Sequence, residues 1–231
     1  MRVTAFIATL AATLGATSTA RAQAEPGRIS LVVGTEFPQW IGGGLAVGLG
    51  RGARLQSVAG AAPGPYIDLV HATVRGVSGG AAQDAALRAA LQRAVTWRTH
   101  VVWKPFSRSG FELGGGFGMM VLEGDVSSEL ALSLAGSTDR SRVPPPFALR
   151  TVLLQADAEL GWSWPLSPSF ALRAGLGAGV TFFADTQVML KYGATSPEVQ
   201  ATLARGTDAL RAWFTEWRVI PGLSLTLHWA P

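Results

Sequence analysis

The sequence contains no cysteine, which excludes disulfides, thiolate metal sites and an acylated lipoprotein cysteine. It is also poor in charge: 15% of the residues are Asp, Glu, Lys or Arg, against 48% hydrophobic residues and 28 glycines. Outside the N-terminus, no run approaches the ~18 uninterrupted apolar residues that a membrane-crossing helix needs. The hydrophobicity must be spread over many half-apolar segments. Catalytic signatures are missing as well, with no G-x-S-x-G, HExxH or phosphate-loop pattern. Gly42-Gly43-Gly44 and Gly114-Gly115-Gly116 lie inside alternating runs and not at a strand-to-helix turn. The three histidines, His71, His100 and His228, have no spacing that makes a triad with Ser and an acid. No catalytic, cofactor-binding or metal-binding residue is therefore expected, and no cofactor.

The N-terminus has Met1-Arg2, an apolar run from Val3 to Ala16, and Ala22-Gln23-Ala24 before Glu25-Pro26. A basic start, an apolar stretch and an A-x-A site predict a secretory signal peptide over 1–24 and a single mature domain over 25–231. Cleavage there removes Arg2 and Arg21 from 19 basic residues and none of the 15 acidic ones, so the net charge falls from +4 to +2. That balance gives no reason to expect a nucleic-acid partner. Export without disulfides suits a bacterial envelope protein.

Strict alternation is what the chain has in abundance. Over Thr151 to Trp164, the residues Val152, Leu154, Ala156, Ala158, Leu160, Trp162 and Trp164 share one parity. The other parity holds Thr151, Gln155, Asp157, Glu159 and Ser163. After Pro165 to Ser169 the pattern resumes, with Phe170, Leu172, Ala174, Leu176, Ala178, Val180 and Phe182 opposed to Arg173, Gly175, Gly177, Gly179 and Thr181. Side chains on a strand point to opposite faces in turn, so each run has one wholly apolar face. These runs are far longer than the usual strand of about 5–6 residues. Shorter alternating runs occur at 29–36, 41–49, 53–61, 95–104 and 111–121. A last one covers Trp213 to Trp229, with a bulge or bend expected at Pro221-Gly222. The total is eight strands.

The connections alternate in length. Those at 50–52, 105–110 and 165–169 are short, whereas 62–94, 123–148 and 184–212 are long; 37–41 is a short connection on the long-loop side. Helical pieces are expected at 81–94, at 127–134, and from Ser196 as N-cap and Pro197 at the first helical position to Leu210. Both termini then lie on the side of the short turns. On the apolar parity, Trp103, Trp162, Trp164, Phe170 and Trp229 gather toward the turn side, and Trp97, Phe182, Trp213 and Trp217 toward the loop side. Aromatics at two levels suit the two water boundaries of a membrane. The opposite parity carries Glu36, Arg98, His100, Lys104, Glu112, Asp157, Glu159, Arg173, Glu216, Arg218 and His228. An eight-stranded barrel is only wide enough for side chains to fill it, so these groups are expected to meet as a polar network. Glycines 114, 116, 118, 175, 177 and 179 would make room for Asp157, Glu159 and Arg173.

A signal peptide, eight dyad strands, short inner turns, long outer loops and an apolar, Trp-bearing final strand resemble the small outer-membrane β-barrel proteins of Gram-negative bacteria, the class typified by the OmpA transmembrane domain. The resemblance implies an all-β, eight-stranded antiparallel up-and-down transmembrane β-barrel with short helices in its extracellular loops. It implies outer-membrane lipid and lipopolysaccharide as surroundings, and the barrel-assembly machinery as a partner during insertion. In that class the final strand usually ends on an aromatic residue; here Trp229 is followed by Ala230-Pro231. The expected role is non-enzymatic: structural, or surface interaction through the loops with a partner the sequence does not name. Three alternatives stand beside it: a narrow pore for small solutes or ions, a soluble lipocalin-like carrier of an apolar ligand, and a lipid A-modifying barrel enzyme.

Overall fold

The computed structural model describes residues 27–68, 93–126, 147–190 and 219–231, with helical residues 197, 200, 201, 204, 207, 208, 211 and 212. The expected signal peptide, the helical turn at 127–134, the cap at Ser196 and the helix over 81–92 lie outside the described residues. So do Trp213, Glu216, Trp217 and Arg218.

The eight strands are β1 (Ile29–Phe37), β2 (Trp40–Gly50), β3 (Ala53–Ala61), β4 (Arg93–Trp103), β5 (Phe111–Val126), β6 (Phe147–Pro165), β7 (Phe170–Leu190) and β8 (Val219–Trp229). They form a closed barrel in chain order, with every neighbour antiparallel and β8 pairing back onto β1. Closure leaves no open edge along the paired length, so the backbone N–H and C=O groups are satisfied by the neighbouring strands. The alternation in the sequence becomes alternation in space. On β4, Val95, Trp97, Val101 and Trp103 are exposed, while Ala94, Thr96, Arg98, His100 and Val102 are buried in the lumen.

The turns follow local chemistry. Arg51 and Gly52 join β2 to β3 with φ of 53° and 79°. Two consecutive positive φ values give a primed turn, whose twist matches that of the flanking strands. Pro38 and Gln39 link β1 to β2, so Pro38 divides two strands instead of kinking one. After β3 the chain makes one helical turn, in which the Tyr66 and Ile67 N–H groups donate to the Pro63 carbonyl. Tyr66 folds back onto the first hairpin, with its hydroxyl 2.7 Å from Thr35 Oγ1 and its ring edge-on to Phe37. The described residues from 197 to 212 are helical, as the sequence predicts, and carry the helix two residues past Leu210.

The strand ends differ from the sequence expectation on the loop side. The loops expected at 123–148 and 184–212 are shorter, because β5 runs to Val126, β6 starts at Phe147 and β7 runs to Leu190. Strands of 16, 19 and 21 residues rise beyond partners of 9 to 11 as a three-stranded extension. The loop expected at 62–94 likewise gives up Arg93 and Ala94, which open β4, so Arg93 belongs to a strand and not to a loop helix. The irregularity expected at Pro221-Gly222 is absent: Ala178 pairs with Pro221 and Gly177 with Gly222 in unbroken register. Pro221 is tolerated because it lies beyond Phe37↔Leu223, the last β1–β8 pair, where one side of the strand carries no ladder. Register shifts occur instead in β2, between Gly48 and Gly50, and in β7. Leu154 faces Phe183 and Gln155 faces Thr181, which leaves Phe182 as the extra residue. Both Phe182 and Phe183 are exposed, and the lumen parity switches from Thr181 to Ala184.

Candidate functional site

The lumen carries the polar chemistry. Near the turn end, Glu112 on β5 is completely buried between two guanidiniums. Arg54 on β3 gives it a two-pronged pair, Nη1 to Oε1 at 2.8 Å and Nη2 to Oε2 at 2.7 Å. Arg173 on β7 donates Nε to Glu112 Oε2 at 2.8 Å and Nη1 to Glu159 Oε1 at 2.9 Å. The Ser224 hydroxyl on β8 donates to that same Glu159 oxygen. One chain of charged and hydroxyl groups thereby crosses the barrel from β3 to β8. Planar guanidiniums suit this, since each offers several donors in fixed directions to more than one carboxylate.

A second cluster lies nearer the loop end. Arg98 on β4 pairs through Nη1 with Glu36 on β1, and its Nη2 lies 3.4 Å from Asp157 Oδ2 on β6. His100 Nε2 is 2.8 Å from Asp157 Oδ1. The Trp40 indole N–H donates to Glu36 Oε2 at 3.2 Å. Between the clusters is a cavity of about 10 Å³ lined by Glu36, Arg98, His100, Asp157, Glu159 and Ser224, the room a single water needs.

Glycines shape both clusters, in different pairings from those expected. A Cβ at Gly175 would overlap Glu159 Oε1, and one at Gly177 would lie 3.2 Å from the Glu159 chain. Gly118 leaves room for Arg98, whose Cγ is 3.0 Å from the Cβ position, and Gly116 does so for His100. Arg173 lies over Gly161, on the neighbouring strand, whereas Gly114 is uncrowded.

Of the polar residues singled out from the sequence, Glu36, Arg98, His100 and Asp157 meet in one cluster and Glu112, Glu159 and Arg173 in the other. Lys104 joins neither, and forms no ion pair among the described residues; it stands half-buried just past β4. Burial lowers its pKa from the usual lysine value, Glu112 opposes that shift and Arg54 adds to it. Glu216 and Arg218 lie outside the described residues. Sequence reasoning missed Arg54, which sits on the weakest alternating run yet shares the parity of Gln56 and Val58. It also missed Trp40, which shares the parity of Gly42 and Gly44 and is 2% exposed.

The lumen is not polar throughout. Trp40 packs with Val32, Ala46 and Val58 on the β1–β3 side. Toward the loop end Met120, Leu122, Phe147, Leu149, Leu153 and Ala184 are buried. An apolar flank and cap accompany the two charged clusters.

Over the length shared by all eight strands the outside of the barrel carries no charged side chain. On β5 the outward residues from Phe111 to Val121 carry no charge, and the first charge is Glu123. On β4 the outward residues are uncharged from Trp103 back to Val95, on β6 from Trp164 back to Val152, before Arg93 and Arg150. Those charges lie side by side, with Arg93 paired to Glu123 and Glu123 to Arg150 in register. Ten residue steps of about 3.4 Å tilted by roughly 40° give a belt ~25 Å tall.

Aromatic rings edge this belt. Trp103, Trp162, Phe170 and Trp229 are exposed at the turn side, with Trp164 half-buried beside them. Phe170 stacks on Trp229 and Phe111 meets Trp162 edge-on. Trp97 and Phe182 are exposed toward the other edge. The hydroxyls within the belt are paired: Ser57 Oγ accepts from the Trp97 indole at 3.0 Å and from Thr99 Oγ1 at 3.2 Å.

A closed eight-stranded up-and-down barrel, apolar outside and filled by charged side chains within, has the architecture of the small outer-membrane β-barrel proteins. No protein-family model and no curated protein matches the chain. Among solved structures it is similar to a major outer membrane protein from Thermus thermophilus, at 13% identity and a TM-score of 0.45, over 88% of this chain and 98% of that one. It is similar to Acinetobacter baumannii CarO at 10% identity and a TM-score of 0.40, over 90% of this chain and 98% of that one. CarO2 from the same organism gives 10% identity and a TM-score of 0.39, over 90% and 100%.

Proposed function

We propose that this chain is a non-enzymatic barrel of the bacterial outer membrane, exported with a signal peptide over 1–24, whose recognition resides in its outer connections. The observation that carries the reading is the uncharged outer belt, ~25 Å tall on β5 and edged by aromatic rings. An exposed apolar surface of that extent calls for lipid around it. A soluble carrier of the lipocalin kind would need the opposite arrangement, with the apolar parity lining the lumen.

The filled lumen favours a structural role over transport or catalysis. Arg54, Glu112, Arg173 and Glu159 occupy the cross-section, and the cavity above them takes one water. The His100–Asp157 contact is enclosed by the barrel wall, so neither group has a route to a lipid substrate. Loops on a rigid scaffold are where recognition is usually placed, and three long connections are available here. The surroundings in this reading are outer-membrane lipid and lipopolysaccharide, with the assembly machinery acting during insertion.

The test is mobility in detergent gels, with and without boiling, of protein extracted from outer-membrane fractions. A heat-dependent shift, with strand-dominated circular dichroism and no conductance in planar bilayers, is the expected result. Recovery in the soluble periplasm with no shift would overturn the membrane reading, and steady conductance would replace the structural role with a pore.

A further inference from the structure

We propose that the turn end of the barrel is a docking surface for anionic phospholipid headgroups, an inference that rests on the membrane reading above. Arg51 and Arg108 stand exposed on the β2–β3 and β4–β5 turns and form no ion pair among the described residues. Arg28 and Lys104 lie half-buried at the same end. The described residues that build this end, 27–28, 50–53, 104–110, 165–170 and 229–231, include no Asp or Glu. The acid just inside, Glu112, is fully buried and already engaged by Arg54 and Arg173. Among the described residues the side-chain charge at this end is therefore of one sign.

The opposite border of the belt is different in kind. There Arg93 and Arg150 stand among Glu123, Asp125 and Asp185, and Arg150 Nε lies 3.4 Å from Glu123 Oε1. Depth supplies the second argument. Trp103, Phe106, Trp162 and Trp229 are exposed immediately next to the basic tips. Indole and phenyl rings settle at the headgroup boundary, which sets Arg51 and Arg108 level with the phosphates. A guanidinium matches a phosphate with paired N–H donors, and cations near a membrane surface attract anionic lipid. The partner that fits is a phosphodiester lipid of net negative charge, such as phosphatidylglycerol.

The experiment refolds the full mature chain into phosphatidylcholine vesicles with and without phosphatidylglycerol, and follows urea unfolding by tryptophan fluorescence and gel mobility. Wild type is expected to gain stability from the anionic lipid, and to lose that gain in 1 M salt, where the screening length is about 3 Å. The Arg51→Gln/Arg108→Gln variant is expected to match wild type in pure phosphatidylcholine and to forfeit about fivefold per cation of the gain in the folded-to-unfolded ratio. An equal gain in wild type and variant, or a gain that survives salt, overturns the proposal. So does a gain lost in Arg93→Gln/Arg150→Gln instead, which would assign it to the other border. Failure to form the heat-shifted species even in phosphatidylcholine would sink the membrane reading, and this inference with it.

Discussion

Arg54 and Glu112 face each other across the lumen from β3 and β5, with two parallel N–H to O bonds of 2.8 and 2.7 Å and the whole of β4 between their backbones. Their pairing ties strands that share no ladder. It also places a fully buried carboxylate where a second guanidinium, Arg173, can reach it.

Removing that carboxylate leaves two buried cations without their partner. Glu112→Ala is expected to cost about 3–5 kcal/mol, as broken buried pairs do. Glu123→Ala removes an exposed partner of Arg150 and should cost at most about 1 kcal/mol. Urea midpoints in detergent micelles compare the two; equal losses would mean that the lumen network is not holding the barrel.

Two glycines on one lumen separate crowding from composition. A Cβ at Gly161 would lie 2.7 Å from Arg173 Nη2, and Arg173 cannot swing away without leaving Glu112 and Glu159. Gly161→Ala should therefore destabilise by about 1–3 kcal/mol. At Gly114 the nearest atom is 3.6 Å from the added carbon, so Gly114→Ala is expected to be neutral or to gain up to about 1 kcal/mol from a less flexible unfolded chain. Thermal unfolding of both variants decides the matter, and a reversed order would refute the packing described for Arg173.

On the outer face of the barrel, Ser57 is the acceptor for Trp97. Ser57→Ala leaves the indole N–H unpaired on a surface without water, at a cost of about 1–3 kcal/mol in a bilayer. The same substitution in a water-exposed surface would be nearly silent. A loss seen in vesicles, with a red shift or blue shift confined to Trp97 emission in a background lacking the other tryptophans, supports the lipid-facing orientation; no loss argues against it.

Lys104 gives a pH dependence whose sign follows from its burial. Its folded pKa is lower than its unfolded one, so protonated Lys104 opposes folding at neutral pH. That penalty is fully present below the folded pKa and is relieved as pH rises through it toward the ordinary lysine value near 10.4. Lys104→Gln is expected to match or exceed wild type at pH 7, with wild type gaining relative to the variant by about pH 10. Urea midpoints at the two pH values test this, and a wild-type advantage at neutral pH would contradict it.

The period-two alternation was legible because one face of each strand is turned outward and uncharged while the other lines the lumen, so each residue's parity states its environment. That is why the strands, the outward Trp97, Trp103, Trp162 and Trp229 and the inward Glu36, Arg98, Glu112, Glu159 and Arg173 could be read in order. The bulge at Phe182 could not be read, since an extra residue next to Phe183 leaves the apolar pattern looking continuous. Arg54 was missed for a related reason: its strand is short and rich in small residues, so the period was faint and its parity carried little weight. The strand ends at Val126, Phe147 and Leu190 lay beyond the uncharged belt, where charged Glu123, Arg150 and Asp185 break the outward apolar pattern.

The order of residues alone was enough to count the strands, to assign the apolar face of each, and to place charges of both signs in a shared, closed interior. Which of those charges meet is a property of the closed barrel, because strand tilt sets the height at which each inward side chain enters the lumen. That height brings Arg54 to Glu112, Arg98 to Glu36, and Arg173 between Glu112 and Glu159. Closure also turned Trp40 inward, where an apolar flank completes a lumen that charge alone does not fill.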